Sequence, residues 1–183
     1  LTDDGVHTIY YYSIDKAGNA EDIQSVQVSI DKSAPETTIE LEGIPGNPPY
    51  YISEVNVTLI ASDETSGIAT ILYSVDMQTW ETYQGAFTVN GEGQNTVFYR
   101  ATDNAGNEEP LKSTTVLIDS EAPVTTVLLE GDVTETGWFT SEVLVTLSST
   151  DEVSGVETTV YSFNGEIWLH YSSPFTVSDL GGT

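Results

Sequence analysis

The sequence predicts an all-β protein made of tandem sandwich units, and three observations carry that expectation. Ser and Thr supply 43 of the 183 residues and Tyr another 10, whereas Met occurs once and Lys and Arg together four times. Strand-favouring residues are therefore plentiful and good helix formers scarce, and no window long enough for a helix shows helical apolar spacing. Second, the chain repeats itself at a fixed offset of 88 residues. Third, short alternating apolar runs are separated by turn residues throughout.

The repeat needs no gap. Ala34-Pro35 returns as Ala122-Pro123, Gly43 as Gly131, and Tyr51-Ile52-Ser53 as Phe139-Thr140-Ser141. Val55, Val57, Thr58 and Leu59 return as Val143, Val145, Thr146 and Leu147, and Asp63, Ser66 and Gly67 as Asp151, Ser154 and Gly155. Tyr73, Ser74, Trp80, Tyr83 and Phe87 match Tyr161, Ser162, Trp168, Tyr171 and Phe175. The same offset carries Gly5, Tyr11, Asp15, Ala17-Gly18-Asn19 and Asp31 onto Gly93, Tyr99, Asp103, Ala105-Gly106-Asn107 and Asp119. The chain thus divides into the second half of a unit (1–32), a whole unit (33–119) and the first part of a third (120–183). Partial sandwiches leave strand faces and edges uncovered. Either a longer array supplies the missing strands, or partial units complete each other between chains.

Within the whole unit, 36–42 reads as a first strand and 54–62 as a second, with Val55, Val57, Leu59 and Ala61 on one face. Residues 68–76 and 79–83 read as a hairpin, and the matching turn in the last unit is Asn164-Gly165, a strong two-residue hairpin signal. A short strand at 86–89, a long one at 95–102 and a last one at 112–118 complete the unit. About seven short strands per unit read as an immunoglobulin-like or fibronectin-type β-sandwich.

Particular runs sharpen this. The segment Gly137-Trp-Phe-Thr-Ser-Glu-Val-Leu-Val-Thr-Leu147, then Asp151, Ser154-Gly155-Val156, Tyr161-Ser162, Trp168, Tyr171 and Pro174-Phe175-Thr176-Val177, resembles the immunoglobulin-like repeats of prokaryotic surface proteins. Thr96 through Glu108 and the linker Ile118-Asp-Ser-Glu-Ala-Pro123 fit the same pattern, which includes a leptospiral outer-membrane repeat family. The resemblance implies a cell-surface setting. It does not name a function, since such repeats serve in adhesins, surface layers, stalks and secreted glycosidases.

Charge excludes other classes. Twenty-nine acidic residues face four basic ones, a formal net charge of −25. Nucleic acid is not an expected partner, because phosphate binding needs clustered Lys and Arg. No apolar run approaches the ~18 residues of a membrane-spanning helix. The absence of Cys removes disulfides, thiolate metal sites and a Cys nucleophile. His7 and His170 have no repeat counterparts, and no phosphate loop or nucleophile elbow is present, so no enzyme is expected.

Acidic residues suggest calcium as the candidate cofactor. In a fibronectin-type sandwich the loops after the second and sixth strands lie beside the incoming linker. The first junction would then gather Asp3, Asp4, Asp31, Asp63, Glu64 and Asp103, and the second Glu92, Asp119, Glu121, Asp151 and Glu152. Calcium takes six to eight hard oxygens, and carboxylates within a Debye length (~8 Å) repel one another until a cation joins them. The competing reading is a solvated acidic surface that confers solubility. Asp-x-Ala-Gly-Asn, at 15–19 and 103–107, reads first as a hairpin connection, with Gly at positive φ and Asp bonding turn amides.

Asn56-Val57-Thr58 is an N-glycosylation sequon, and strand alternation points Asn56 outward. Trp80 and Trp168 are repeat equivalents expected in or beside the core, and Trp138 with Tyr50 and Tyr51 offers a carbohydrate-platform alternative. The chain is thus expected to be an extracellular structural segment of a stalk, surface layer or filament, adhesive in some settings. Its expected partners are neighbouring repeats or identical subunits, joined head to tail in a strand-complemented version. The alternative is a spacer or sugar-binding module of a large secreted glycosidase.

Overall fold

The computed structural model describes residues 2–178, which are all-β with no helix among them. The chain forms two compact units, divided between Ile118 and Asp119.

The first unit opens with a separate antiparallel hairpin. Its strands, β1 (Gly5–Tyr11) and β2 (Gln24–Ile30), pair from Gly5↔Ile30 to Tyr11↔Gln24. Two further sheets follow. One, in the order β3-β5-β8, joins β3 (Glu36–Glu42), β5 (Val55–Ser62) and β8 (Phe87–Val89). The other, in the order β4-β10-β9-β6-β7, joins β4 (Tyr50–Tyr51), β6 (Ile68–Ser74), β7 (Glu81–Thr82), β9 (Gly93–Asp103) and β10 (Lys112–Ile118).

Alternation along these strands builds one core between the two sheets. Val55, Val57, Leu59 and Val89 face inward from the three-stranded sheet, and Val97, Tyr99, Val116 and Ile118 from the five-stranded one. All are buried, as strict period-two strands require. Tyr73 stacks on Phe87 at 4.0 Å between centroids, and Tyr83 meets both edge-on. The strand β4 lies outside the sequence expectation. Two residues carry no alternation, and Tyr50–Tyr51 joins the sheet by pairing in parallel with Leu117 and Ile118.

A buried carboxylate locks one flank of this core. Glu109 accepts hydrogen bonds from the backbone N–H of Thr37 (3.0 Å) and Ala101 (2.7 Å) and from the Thr37 hydroxyl. Lys112 Nζ lies 3.1 Å away and also donates to the Thr37 carbonyl. Burial raises the Glu109 pKa, but the Thr37 and Lys112 bonds outweigh it and hold the carboxyl below its ordinary range.

The second unit contains a sheet β11-β12-β15, from β11 (Val124–Glu130), β12 (Val143–Thr150) and β15 (Phe175–Val177). A separate pair joins β13 (Val160–Tyr161) to β14 (Leu169–His170). Asn164-Gly165 lies in the 162–168 connection of this pair, longer than the two-residue hairpin its sequence suggests. The reason is local. Ser162 Oγ takes the Asn164 and Gly165 amides, and Asn164 Oδ1 takes those of Glu166 and Ile167, so side chains rather than strand pairing close the turn.

Candidate metal centre

Three elements of the first unit bring carboxylates to one point. Asp31 follows β2 in the linker, Asp63 follows β5, and Asp103 ends β9. One oxygen from each lies within 4.8 Å of the others. Two oxygens on a single calcium ion are at most about 5 Å apart, given ligand distances of about 2.3–2.6 Å. The triad therefore has the span of a cation site, and three carboxylates offer up to about six oxygens.

Backbone and amide donors hold each member in place. Asp63 Oδ1 accepts from the N–H groups of Thr65 (3.2 Å), Ser66 (2.9 Å) and Gly67 (2.8 Å), and Gly67 sits at φ +77°, which lets the loop curl around the carboxylate. Asp31 Oδ2 accepts from Ser66 N at 3.1 Å, and its Oδ1 from Ser33 N at 3.1 Å. Asp103 is buried. Its two oxygens take the backbone N–H and side-chain amide of Asn107, each at 2.8 Å. Burial works against ionisation there. The Asn107 bonds, with help from Gly106 and Ala105, still hold its pKa below the usual carboxylate value.

Asn107 also ties the linker down, since its Nδ2 donates to the Asp31 carbonyl at 3.2 Å. The Asp-x-Ala-Gly-Asn segment is thus a clasp at its second occurrence. At the first, Asp15 binds Ala17 N, Asn19 N and Asn19 Nδ2 in the same way, and its carboxyl is lowered chiefly by the Asn19 side chain. Gly18 and Gly106 both adopt φ +95°.

The other acidic residues expected at this junction lie outside this triad. Asp4 bonds Lys32 N (3.1 Å) and Ser33 Oγ (2.7 Å), so it braces the linker. Asp3 offers its carbonyl to His7 Nε2 at 2.8 Å, and its side chain and that of Glu64 are exposed.

In the second unit, Asp119 and Asp151 form a related pair. Ser154 N donates to Asp119 Oδ2 (3.1 Å) and Asp151 Oδ1 (2.9 Å), and Gly155 N to Asp151 Oδ1 (2.8 Å). Asp119 is buried, and its Oδ1 has no hydrogen-bond partner. Glu92, Glu121 and Glu152 are exposed. Among the described residues, Asp31, Asp63 and Asp103 are the one group of this kind able to hold a metal, and it contains none of the other expected ligands.

The remaining candidates are placed as follows. Asn56 is exposed on β5, with Thr88 Oγ1 donating to its Oδ1 at 3.0 Å. Trp80 is half-buried under Arg100, whose Cζ lies 5.4 Å from the ring centroid. Trp168 is 59% exposed, against the expectation of a core position. The reason is that Arg100 belongs to β9, and no such strand flanks β13 among the described residues. Trp138 is 76% exposed. His170 Nδ1 meets Thr158 Oγ1 at 3.0 Å.

Glu109 escaped the sequence reading. Its signal was available, because an acid also stands at Glu21, 88 residues earlier. No protein-family model matches the chain, and no curated protein matches it.

Proposed function

We propose that this chain is a non-enzymatic structural segment of a prokaryotic cell-surface stalk, layer or filament. It is built from 88-residue immunoglobulin-like repeats whose linkers are stiffened by calcium. The observation that carries the reading is the fastening of the linker. Asp31 is held at once by Ser66, Ser33 and Asn107, and shares its carboxylate position with Asp63 and Asp103. A hydrogen-bonded linker resists bending, and a divalent cation among three carboxylates would remove their mutual repulsion.

The tandem reading has support in strand bounds. β3, β5, β7 and β8 correspond to β11, β12, β14 and β15 residue for residue at the 88-residue offset. The pairing of β1 with β2 likewise corresponds to that of β9 with β10, Gly5↔Ile30 matching Gly93↔Ile118 and Tyr11↔Gln24 matching Tyr99↔Lys112. Extracellular location follows from the same reading, as do exposed strand faces rich in Ser and Thr and an outward-facing Asn56 sequon.

Calcium titration tests this reading. Calcium at about 100 times its Kd should stabilise the first unit by about 2.7 kcal/mol, read as a raised unfolding midpoint that EDTA reverses. Asp63→Asn should abolish most of that shift. Calorimetry showing no calcium binding, or an unchanged shift in Asp63→Asn, would remove the cation from the reading.

A further inference from the structure

The tripeptide Asn-Gly-Glu occurs at 90–92 and again at 164–166, and of the asparagines only Asn90 and Asn164 precede a glycine. Asparagine is a thermolabile side chain. A following glycine exposes it further, because a residue without Cβ lets its backbone nitrogen approach the preceding side-chain amide unhindered. What holds each turn decides whether that approach occurs.

Both tripeptides are exposed, so access of water does not separate them. Hydrogen bonding does. In the 162–168 connection, Gly165 N donates to Ser162 Oγ at 2.9 Å. Asn164 Oδ1 accepts from the N–H groups of Glu166 and Ile167, each at 3.0 Å, and from the Ser162 hydroxyl at 3.1 Å. The attacking nitrogen and the amide it would attack are both tied.

The connection from β8 to β9 is built differently. Among the described residues, neither the Asn90 side chain nor the Gly91 N–H has a hydrogen-bond partner. Asn95 holds this loop instead, its Nδ2 donating to the carbonyls of Gly91 and Gly93. Asn95 Oδ1 would lie 2.6 Å from a Cβ at position 91, so the close approach requires glycine there. The packing that demands Gly91 thus leaves Asn90 beside the one residue that does not shield it.

We propose that Asn90 is a site of spontaneous deamidation, and that the folded chain converts Asn90 while sparing Asn164. Gly91 N gives up its proton to solvent base and bonds to Asn90 Cγ. The Cγ–Nδ2 bond breaks, and ammonia leaves with a proton from solvent, which closes a five-membered succinimide. Water then opens the ring. Cleavage between Cγ and the Gly91 nitrogen gives aspartate. Cleavage between the main-chain carbonyl and that nitrogen gives isoaspartate, whose backbone runs through the former side chain. Either product adds one negative charge to a chain already at −25. Isoaspartate also lengthens the main chain by a methylene next to Gly91, which shifts the Gly91 carbonyl away from Asn95.

The matched tripeptides make the test internal to one molecule. The full chain is kept in mildly alkaline buffer, sampled over time and cut after glutamate. Residues 82–92 and 158–166 are then released as peptides with one asparagine and no aspartate each, so isoaspartate in either has a single origin. Mass spectrometry and isoaspartate methylation follow both. In the folded chain Asn90 should convert at least about tenfold faster than Asn164, because each hydrogen bond that must open slows ring closure up to about tenfold. In strong denaturant the two rates should converge, since the turns are gone and the tripeptide is the same. Ser162→Ala frees the Gly165 N–H and should speed Asn164 about fivefold while leaving Asn90 unchanged.

Equal rates in the folded chain would overturn the proposal, as would an Asn90 that reacts in denaturant but not in the folded chain. A difference that persists unchanged in denaturant, or an Asn164 rate unmoved by Ser162→Ala, would overturn the assignment of the selectivity to the folded turns.

Discussion

A buried carboxylate is stable when its oxygens have donors, and Glu109 meets that condition with Thr37, Ala101 and Lys112. Removing the charge strands those donors, so Glu109→Gln should destabilise the first unit by about 3 kcal/mol in urea unfolding. The same group makes stability depend on pH. Its native pKa is lowered from 4.5, so the unfolded chain binds the proton more tightly. The contribution is therefore complete above about pH 4.5 and fades as pH falls through the lower native value. Urea midpoints of the parent chain should drop across that window, and Glu109→Gln should lose part of that drop. Glu109 was missed in the sequence because an acid before Pro110 reads as surface. Only the packing of Thr37 against the end of β9 makes it interior.

Most elements are legible because strand alternation is a local property. Val55, Val57 and Leu59 face the core because the residues between them face out. Their burial depth is not local. Leu59 is buried beneath the five-stranded sheet, whereas its counterpart Leu147 is half-buried. Leu59→Ala should cost about 3 kcal/mol, and Leu147→Ala about 1 kcal/mol, as separate shifts in the thermal unfolding of the two units. The pairing of β4 with β10 and the side-chain closure of the 162–168 turn were illegible for the opposite reason. Each depends on a partner rather than a pattern.

At the scale of the whole molecule, charge sets the terms. With 29 acidic and four basic residues, self-repulsion opposes compaction, and salt relieves it. In the presence of EDTA, the unfolding midpoint of the first unit should rise by about 5 °C between 0.01 M and 1 M NaCl, equivalent to about 1 kcal/mol. A midpoint independent of salt would show that the carboxylates are already balanced by local donors. The sequence by itself determined the all-β class, the alternating core faces and the Asp-bonded turn at Asp-x-Ala-Gly-Asn, because these follow from residue preferences and neighbours a few positions away. It also pointed to acidic residues at the first junction. Only the tertiary structure decided which of them converge: Asp31, Asp63 and Asp103 are separated by tens of residues, and three loops must be brought together before their oxygens lie within 4.8 Å. Asp3 and Glu64 carry the same charge but are exposed and lie outside the group. Sequence lists the carboxylates, and the direction in which each loop leaves its strand selects among them.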